Sequence, residues 1–421
     1  MKKTIGLSRA SQQQGSTPYA TRIKQVKFGG ASRDFTICNF TPQTIPRICE
    51  LKKVLVLPGA LGDTIVTTPL PRALKRLNPA VQISYVVSED WLKLFNLPYI
   101  DKLISYPAEY SFIHDADKIV SRVTESYAEK PDVVFFPGYQ VQLRQQLRQR
   151  MADTVFLTNV VDGFGTRPIQ ANGATVATFY DYLKCDFCFM YEWALAILLP
   201  FSDFDPEIFS EDLYSEIAVS GTVNPTLEQI VQQQGARKLI YINVAARDKE
   251  RNIPLAMLQF ILRHFSNPEF FVVVDAFNPD YLDEVTKRQI AQQKGIFIKT
   301  WLDETVELIK QADVGIFADS GPSHIAMSRP IDIPMLVLYG SKLYQNTWTH
   351  PLTAHRKNPI LTLASDNSEL NIPLEEIFGT PGLTPASAGI NLNRIKKAYP
   401  GNINGQELAE KLQLLIHLSG H

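Results

Sequence analysis

The sequence predicts an α/β chain of two doubly wound, Rossmann-like domains in tandem, with a cleft between them. Three observations predict it. Short, unbroken apolar runs recur along the chain, as in Val54-Leu55-Val56-Leu57 and Val133-Val134-Phe135-Phe136. Such runs suit strands buried on both faces of a parallel sheet. Helix-length segments separate them, and strand–helix alternation implies parallel crossover connections. The alternation occurs in two blocks, and each block opens with a strand that runs into a functional-looking loop.

Residues 1–50 read as an N-terminal extension. Residues 12–17 are rich in Gln, Gly and Ser, residues 35–40 have the apolar content of a short strand, and Pro42 and Pro46 break any helix. The first block opens at Lys52 with the 54–57 strand. A Gly-containing loop at 58–63 follows, then a helix over 64–77 with Pro69 and Pro71 near its start and Arg72, Lys75 and Arg76 toward its end. A strand at 83–87, a helix at 89–95 and strands at 102–104 and 133–136 complete it. Residues 155–235 are rich in aromatics and Pro, with helices expected at 180–199 and 226–234. The second block reads as strand 239–243, helix 255–265, strand 270–274, helix 281–293, strand 296–298, helix 303–311, and strands 314–317 and 335–338. Residues 351–402 are Pro-, Gly- and Asn-rich and loop-like. An amphipathic helix at 405–418 places Leu408, Leu412, Leu415 and Ile416 on one face. The expected domains are thus 51–235, 236–402 and a terminal helix at 403–421 that packs back on the first domain.

Composition excludes several classes. Of 421 residues, 45% are hydrophobic and 20% charged, which suits globular domains rather than disorder. Lys and Arg (42) balance Asp and Glu (43), which argues against a chain built to hold nucleic acid. No stretch approaches the ~20 apolar residues of a membrane span. Met1-Lys2-Lys3 leads into polar residues rather than a signal-peptide core, so the expected address is cytoplasmic. Lys396, Lys397, Arg144, Arg148 and Arg150 are the cations that would graze anionic headgroups in a peripheral membrane contact, although solvated faces explain them more simply. Cys185 and Cys188 form one CxxC, while Cys38 and Cys49 stand apart. A four-Cys metal site would need the two pairs to meet, and reduced, partly buried thiols are the simpler reading.

Ligands of doubly wound sheets bind at the carboxyl ends of the strands, which directs attention to three loops. In Gly59-Ala60-Leu61-Gly62-Asp63, glycines allow close backbone approach, and Asp63 either caps the following helix or acts as a general base. Asp319-Ser320-Gly321-Pro322-Ser323-His324 joins a strand to a helix start, an arrangement that suits an anion or serves as a plain cap. His324 either touches a phosphate or packs into its helix. In Arg247-Asp248-Lys249-Glu250-Arg251, the cations have the chemistry to neutralise a diphosphate. No cofactor or metal is implied.

The segment from Lys53 through Leu57-Pro58-Gly59-Ala60-Leu61-Gly62-Asp63-Thr64 to Thr67-Thr68-Pro69 resembles the opening motif of the ADP-heptose:lipopolysaccharide heptosyltransferases, glycosyltransferase family 9. Ala312-Asp313-Val314 through Asp319-Ser320-Gly321-Pro322 to His324 resembles their second signature, and the 300–309 segment fits the stretch before it. The resemblance covers about residues 52–110 and 237–350. It implies a GT-B fold and an inverting, metal-independent enzyme that moves heptose from ADP-heptose to lipopolysaccharide or another cell-envelope glycan, at the cytoplasmic side of the inner membrane when the acceptor is lipid-linked. It also implies that Asp63 is the general base. Asp319, with Ser320, Gly321 and His324, would hold the donor, and Arg251 with Lys249 would meet the diphosphate.

The chain departs from that pattern in places. Arg251 stands where the family has Lys, and Ile253 where it has Trp. A Gly-Gly turn near the nucleotide is replaced by Asp275-Ala276-Phe277-Asn278-Pro279-Asp280. Two rival readings follow: a different nucleotide sugar on the same scaffold, and a non-catalytic nucleotide-sugar-binding homologue. Retention of Asp63, Asp319 and the glycine loops argues against the second. The paired signatures argue against an epimerase.

Overall fold

The computed structural model describes residues 20–28, 31–41, 44–110, 114–127, 130–137, 141–159, 175–180, 194–219, 225–246, 251–276, 282–292, 295–298, 300, 302–340, 356–365 and 403–419. The first sheet contains β1 (Ala20–Phe28), β2 (Ala31–Asn39), β3 (Lys53–Val56), β4 (Gln82–Ser88), β5 (Lys102–Tyr106), β6 (Val133–Phe136), β7 (Val155–Thr158) and β8 (Val176–Tyr180). Their spatial order is β1-β2-β8-β7-β6-β3-β4-β5. β3 to β8 pair in parallel, and the β1–β2 hairpin adds to β8 antiparallel. The helices of this half are α1 (Leu61–Val66), α2 (Pro69–Leu77), α3 (Ala116–Glu125) and α4 (Val141–Arg150).

α5 (Pro225–Gln234) leads into the second sheet. Its strands are β9 (Lys238–Asn243), β10 (Phe270–Asp275), β11 (Ile296–Ile298), β12 (Val314–Ala318), β13 (Met335–Tyr339) and β14 (Ile360–Ala364). All six are parallel, in the order β11-β10-β9-β12-β13-β14. The intervening helices are α6 (Leu255–His264), α7 (Glu284–Gln292), α8 (Leu302–Gln311) and α9 (Gly321–Met327), and the last is α10 (Gly405–Leu418).

Side chains of a strand alternate between faces, and here the alternation sorts the core into three bodies. Leu55 and Leu57 point to an outer cluster with Ile119, Val120, Leu143 and Leu147 of α3 and α4. Ile240 and Ile242 point to the outer cluster of the second half. Val54 and Val56 of the first sheet and Leu239 and Tyr241 of the second belong to one shared apolar body, which also takes in Leu195 to Leu199 and Ile325 to Met327. The two halves are therefore joined through a common core.

Several expectations are corrected. The single helix over 64–77 is two helices, because Pro69 has no N–H for the Ile65 carbonyl. The Thr68 hydroxyl takes that carbonyl instead, at 2.9 Å, and the Thr67 and Thr64 hydroxyls bond back to Asp63 and Ala60 at 2.6 and 2.8 Å. The 360–364 stretch, read as loop, is a parallel edge strand. Tyr180 ends β8 rather than beginning a helix, and most of the 180–199 helix lies outside the described residues. α10 packs on α6, β13 and β14 instead of the first domain, because Leu408, Leu412 and Leu415 complete the outer cluster of the second sheet. Arg144 is fully buried, donating to Thr158 Oγ1 at 3.0 Å, and so is not a headgroup contact. Arg148 donates to the Thr154 carbonyl and Arg150 to Ser121 Oγ. Lys396 and Lys397 lie outside the described residues. Cys38 is buried and Cys49 exposed, neither in a disulfide, and Cys185 and Cys188 lie outside the described residues. Among the described residues, no helix is long and apolar enough to cross a membrane.

One buried cation organises the chain behind α9. Arg356 donates to the carbonyls of Ala326 and Ile333 at 2.8 Å and of Ile331 at 3.2 Å, with Asp332 at 3.7 Å. Removing a donor from buried carbonyls leaves their desolvation uncompensated. Arg356→Met should therefore destabilise the protein by about 2–4 kcal/mol, measured as a lower urea midpoint. An unchanged midpoint would refute the assignment.

Candidate functional site

Three of the sequence loops meet where α1 faces α9. The loop after β3 turns at Gly59, whose φ of 143° lies in the region that favours glycine. The Asp63 carboxylate folds back to accept the Ala60 N–H at 3.1 Å, so it caps α1 while remaining partly exposed. The two helix ends fit closely. A Cβ at Gly62 would lie 2.9 Å from His324 Cδ2, and a Cβ at Gly321 would lie 2.8 Å from Leu61 Cδ2.

The loop after β12 is held from beneath. Ser320 Oγ donates to Asn243 Oδ1 at 3.0 Å, and Ser323 Oγ to the Ser320 carbonyl at 2.7 Å. Asn243 ends β9, beside β12, so this bond fixes the loop to the sheet's carboxyl edge. Asp319, almost wholly buried, pairs with Arg251 at 3.5 Å, while Arg251 keeps about a third of its side chain in solvent. A cation so placed is anchored at one face and open to an incoming anion at the other.

Arg251 stands at the closing end of the cationic loop. Asn252 Oδ1 accepts the Ala246 N–H at 2.8 Å, and the Ile253 N–H reaches the Val244 carbonyl at 3.0 Å, which pins both ends together. Arg247 and Lys249 lie outside the described residues. Asn243 and Asn252 were missed by the sequence reading, since a lone Asn carries no spacing signal. Asn252 adjoins Arg251, and that adjacency is the only pointer to it.

The His324 ring is buried. Burial, and then the Arg251 guanidinium, push its pKa from 6.5 down to about 3. The imidazole is thus neutral at physiological pH, and among the described residues beside it the positive charge resides on Arg251. A second buried network flanks β10. Asp275 Oδ2 accepts from Tyr241 at 2.5 Å and Thr300 at 2.6 Å, and burial raises its pKa. Among the described residues, no group of three or more His, Cys, Asp or Glu side chains forms a metal site.

Residues 214–368 match the model of glycosyltransferase family 9 (heptosyltransferase). Lipopolysaccharide heptosyltransferase 1 of Campylobacter coli is 23% identical over 305 residues, covering 69% of this chain and 84% of that protein. A family 9 glycosyl transferase structure from Veillonella parvula superposes with a TM-score of 0.56 at 16% identity, over 83% of this chain and 98% of the other. The E. coli ADP-heptose lipopolysaccharide heptosyltransferase II structure gives 0.52 at 16% identity, over 82% and 98%. The fold is that of these structures, two doubly wound halves in the GT-B arrangement.

His324 predicts a pH signature. The unfolded chain takes up a proton near pH 6.5 that the folded chain refuses until about pH 3. Stability should therefore fall through this window as pH falls, by up to about 1.4 kcal/mol per unit. His324→Gln should flatten the pH dependence of Tm between pH 6.5 and 4.5 relative to the parent. Parallel curves would refute the buried neutral ring.

Proposed function

We propose that this chain, a divergent member of glycosyltransferase family 9, is an inverting enzyme that moves a heptose from ADP-heptose to lipopolysaccharide or a related cell-envelope glycan. The observation that carries this reading is the meeting of Gly62, Arg251, Asp319 and His324 at the carboxyl ends of two facing sheets. The names of the relatives supply the donor and acceptor classes. The site faces the cytoplasm, where a lipid-linked acceptor would approach from the inner membrane.

In this reading Asp63 removes the proton from the acceptor hydroxyl. The acceptor oxygen then attacks the anomeric carbon from the face opposite the diphosphate. The new C–O bond forms as the bond to the leaving phosphate breaks, and configuration inverts. Arg251, aided by Lys249 and Arg247, meets the negative charge that develops on the leaving diphosphate. Asp319, Ser320 and Gly321 hold the donor. His324, being neutral, offers a hydrogen bond without adding charge. Capping and base catalysis are compatible in Asp63, because the Ala60 bond fixes the carboxylate without needing its proton chemistry.

That distinction gives a clean test. Asp63→Asn keeps an oxygen for the Ala60 N–H and loses the base. It should lower kcat by about 10²–10⁴-fold and leave donor affinity nearly unchanged, measured by transfer assay and calorimetry. Full activity would remove Asp63 from this role. Arg251→Ala should weaken nucleoside diphosphate binding, and unchanged affinity would count against it. Thermal shift with ADP, UDP, GDP and their sugars identifies the donor, since a ligand of the folded state raises Tm by mass action. The largest shift should come from ADP-heptose, and a larger shift from another nucleotide sugar would replace it.

A further inference from the structure

The contact between the two halves is reciprocal. The first half presents Leu61 to a glycine of the second, Gly321, and the second presents His324 to a glycine of the first, Gly62. Neither glycine has room for a Cβ unless the facing side chain moves. Leu61 and His324 lie in the first turns of α1 and α9, so two short helices are keyed together at their starts. Asp63 follows Gly62 directly, and its carboxylate is tied within its own loop to Ala60. Asp319 precedes the other socket by two residues and is tied to Arg251. Each chemistry-bearing side chain is thus rigid within its loop, and the keys set one loop against the other.

We infer that Leu61 and His324 are positioning residues, seated at Gly321 and Gly62, that set the loop carrying Asp63 against the loop carrying Asp319. The inference rests on the proposed function for its catalytic consequence, and on geometry alone for the coupling between loops. A second anchorage supports it. The Ser328 hydroxyl donates to the His324 carbonyl at 2.6 Å and pairs with Ser215 Oγ at 2.7 Å. Residues 215–217 also exchange main-chain bonds with Arg329, and the Glu216 N–H reaches Thr68 Oγ1 of the first half at 2.9 Å. With the far end of α9 fixed in this way, the Leu61 and His324 keys determine how its near end meets α1.

Leu61 is the residue to test, because it is partly exposed and lies outside the proposed donor-binding groups. Displacement of a catalytic group by about 1 Å costs up to ~10²-fold in rate. Leu61→Ala should therefore lower kcat ten- to a hundredfold and leave the dissociation constants for ADP, UDP and GDP within about twofold. Leu61→Met, which fills the socket, should restore kcat. Amide hydrogen exchange supplies a readout that needs no turnover. In Leu61→Ala, peptides covering 319–327 in the other half should exchange faster, while those covering α3 should not. Leu61→Val gives the same comparison with a smaller truncation should the Ala variant fold poorly. Unchanged kcat in an active enzyme, or unchanged exchange at 319–327, would overturn the inference. Absence of transfer from every nucleotide sugar would instead refute the functional reading, and the exchange experiment would still decide the coupling.

Discussion

The seven-residue helix α9 is held at both of its ends by contacts to the first half, and the placement of the Asp63 loop against the Asp319 loop depends on that grip. At its start it meets α1 through Gly62 and Gly321. At its end Ser328 and Arg329 bond to residues 215–217, and this segment is tied to Thr68 through the Glu216 N–H and to the Leu94 carbonyl through the Ala218 N–H. Tyr214 reinforces the joint, with the guanidinium groups of Arg72 and Arg329 each 3.7 Å from its ring centre. Such contacts gain from partial desolvation, and Arg72 is further held by Glu216 at 3.3 Å and by the Tyr214 carbonyl at 2.7 Å. The shared apolar core beneath means that these polar contacts fix orientation, while burial supplies most of the cohesion.

The same grip explains the charge pattern. A helix start pressed against another loop leaves His324 no solvent, so the ring is neutral. Arg251, paired with Asp319, is buried less deeply and keeps about a third of its side chain in solvent. Among the described residues, the arrangement is asymmetric, with a partly exposed cation, a buried carboxylate behind it and an uncharged ring beside it. In the proposed reading, a diphosphate whose charge grows as the sugar leaves would be matched by a partly exposed cation better than by a second buried charge.

Much of this was legible in the sequence, and the physical reason is burial. The central strands β3, β4, β9, β10, β12 and β13 are apolar on both faces, so unbroken runs marked them to within a residue or two. β1 escaped because it is an edge strand whose exposed Arg22 and Ile23 break the pattern. β7 is no shorter than β3, and β14 no shorter than β12, but they sit in Pro- and aromatic-rich stretches, and β14 is only partly buried, so its run is broken by Thr362. α4 escaped because its sequence, VQLRQQLRQR, is polar but for Val141, Leu143 and Leu147, and Arg144 is buried against expectation. At the site, spacing identified the loops bearing Asp63, Arg251 and Asp319. It could not reveal that Leu61 meets Gly321, since contacts between halves leave no local periodicity.

The departures from the family pattern now have a structural sense. Asp275 stands at the end of β10, in register with Asn243 at the end of β9. Its carboxylate turns inward to Tyr241 and Thr300, and Thr300 pairs with Thr305 at the start of α8. A buried carboxylate with a raised pKa and two hydroxyl donors is a tether between β10 and α8, not a group presented to a ligand. Asn243 performs the matching task one strand away, tethering Ser320 to β9. Both side chains fasten the carboxyl edge of the second sheet, the edge from which the Asp319 loop springs. Rigidity at this edge is thus supplied by side chains that lie behind the loops.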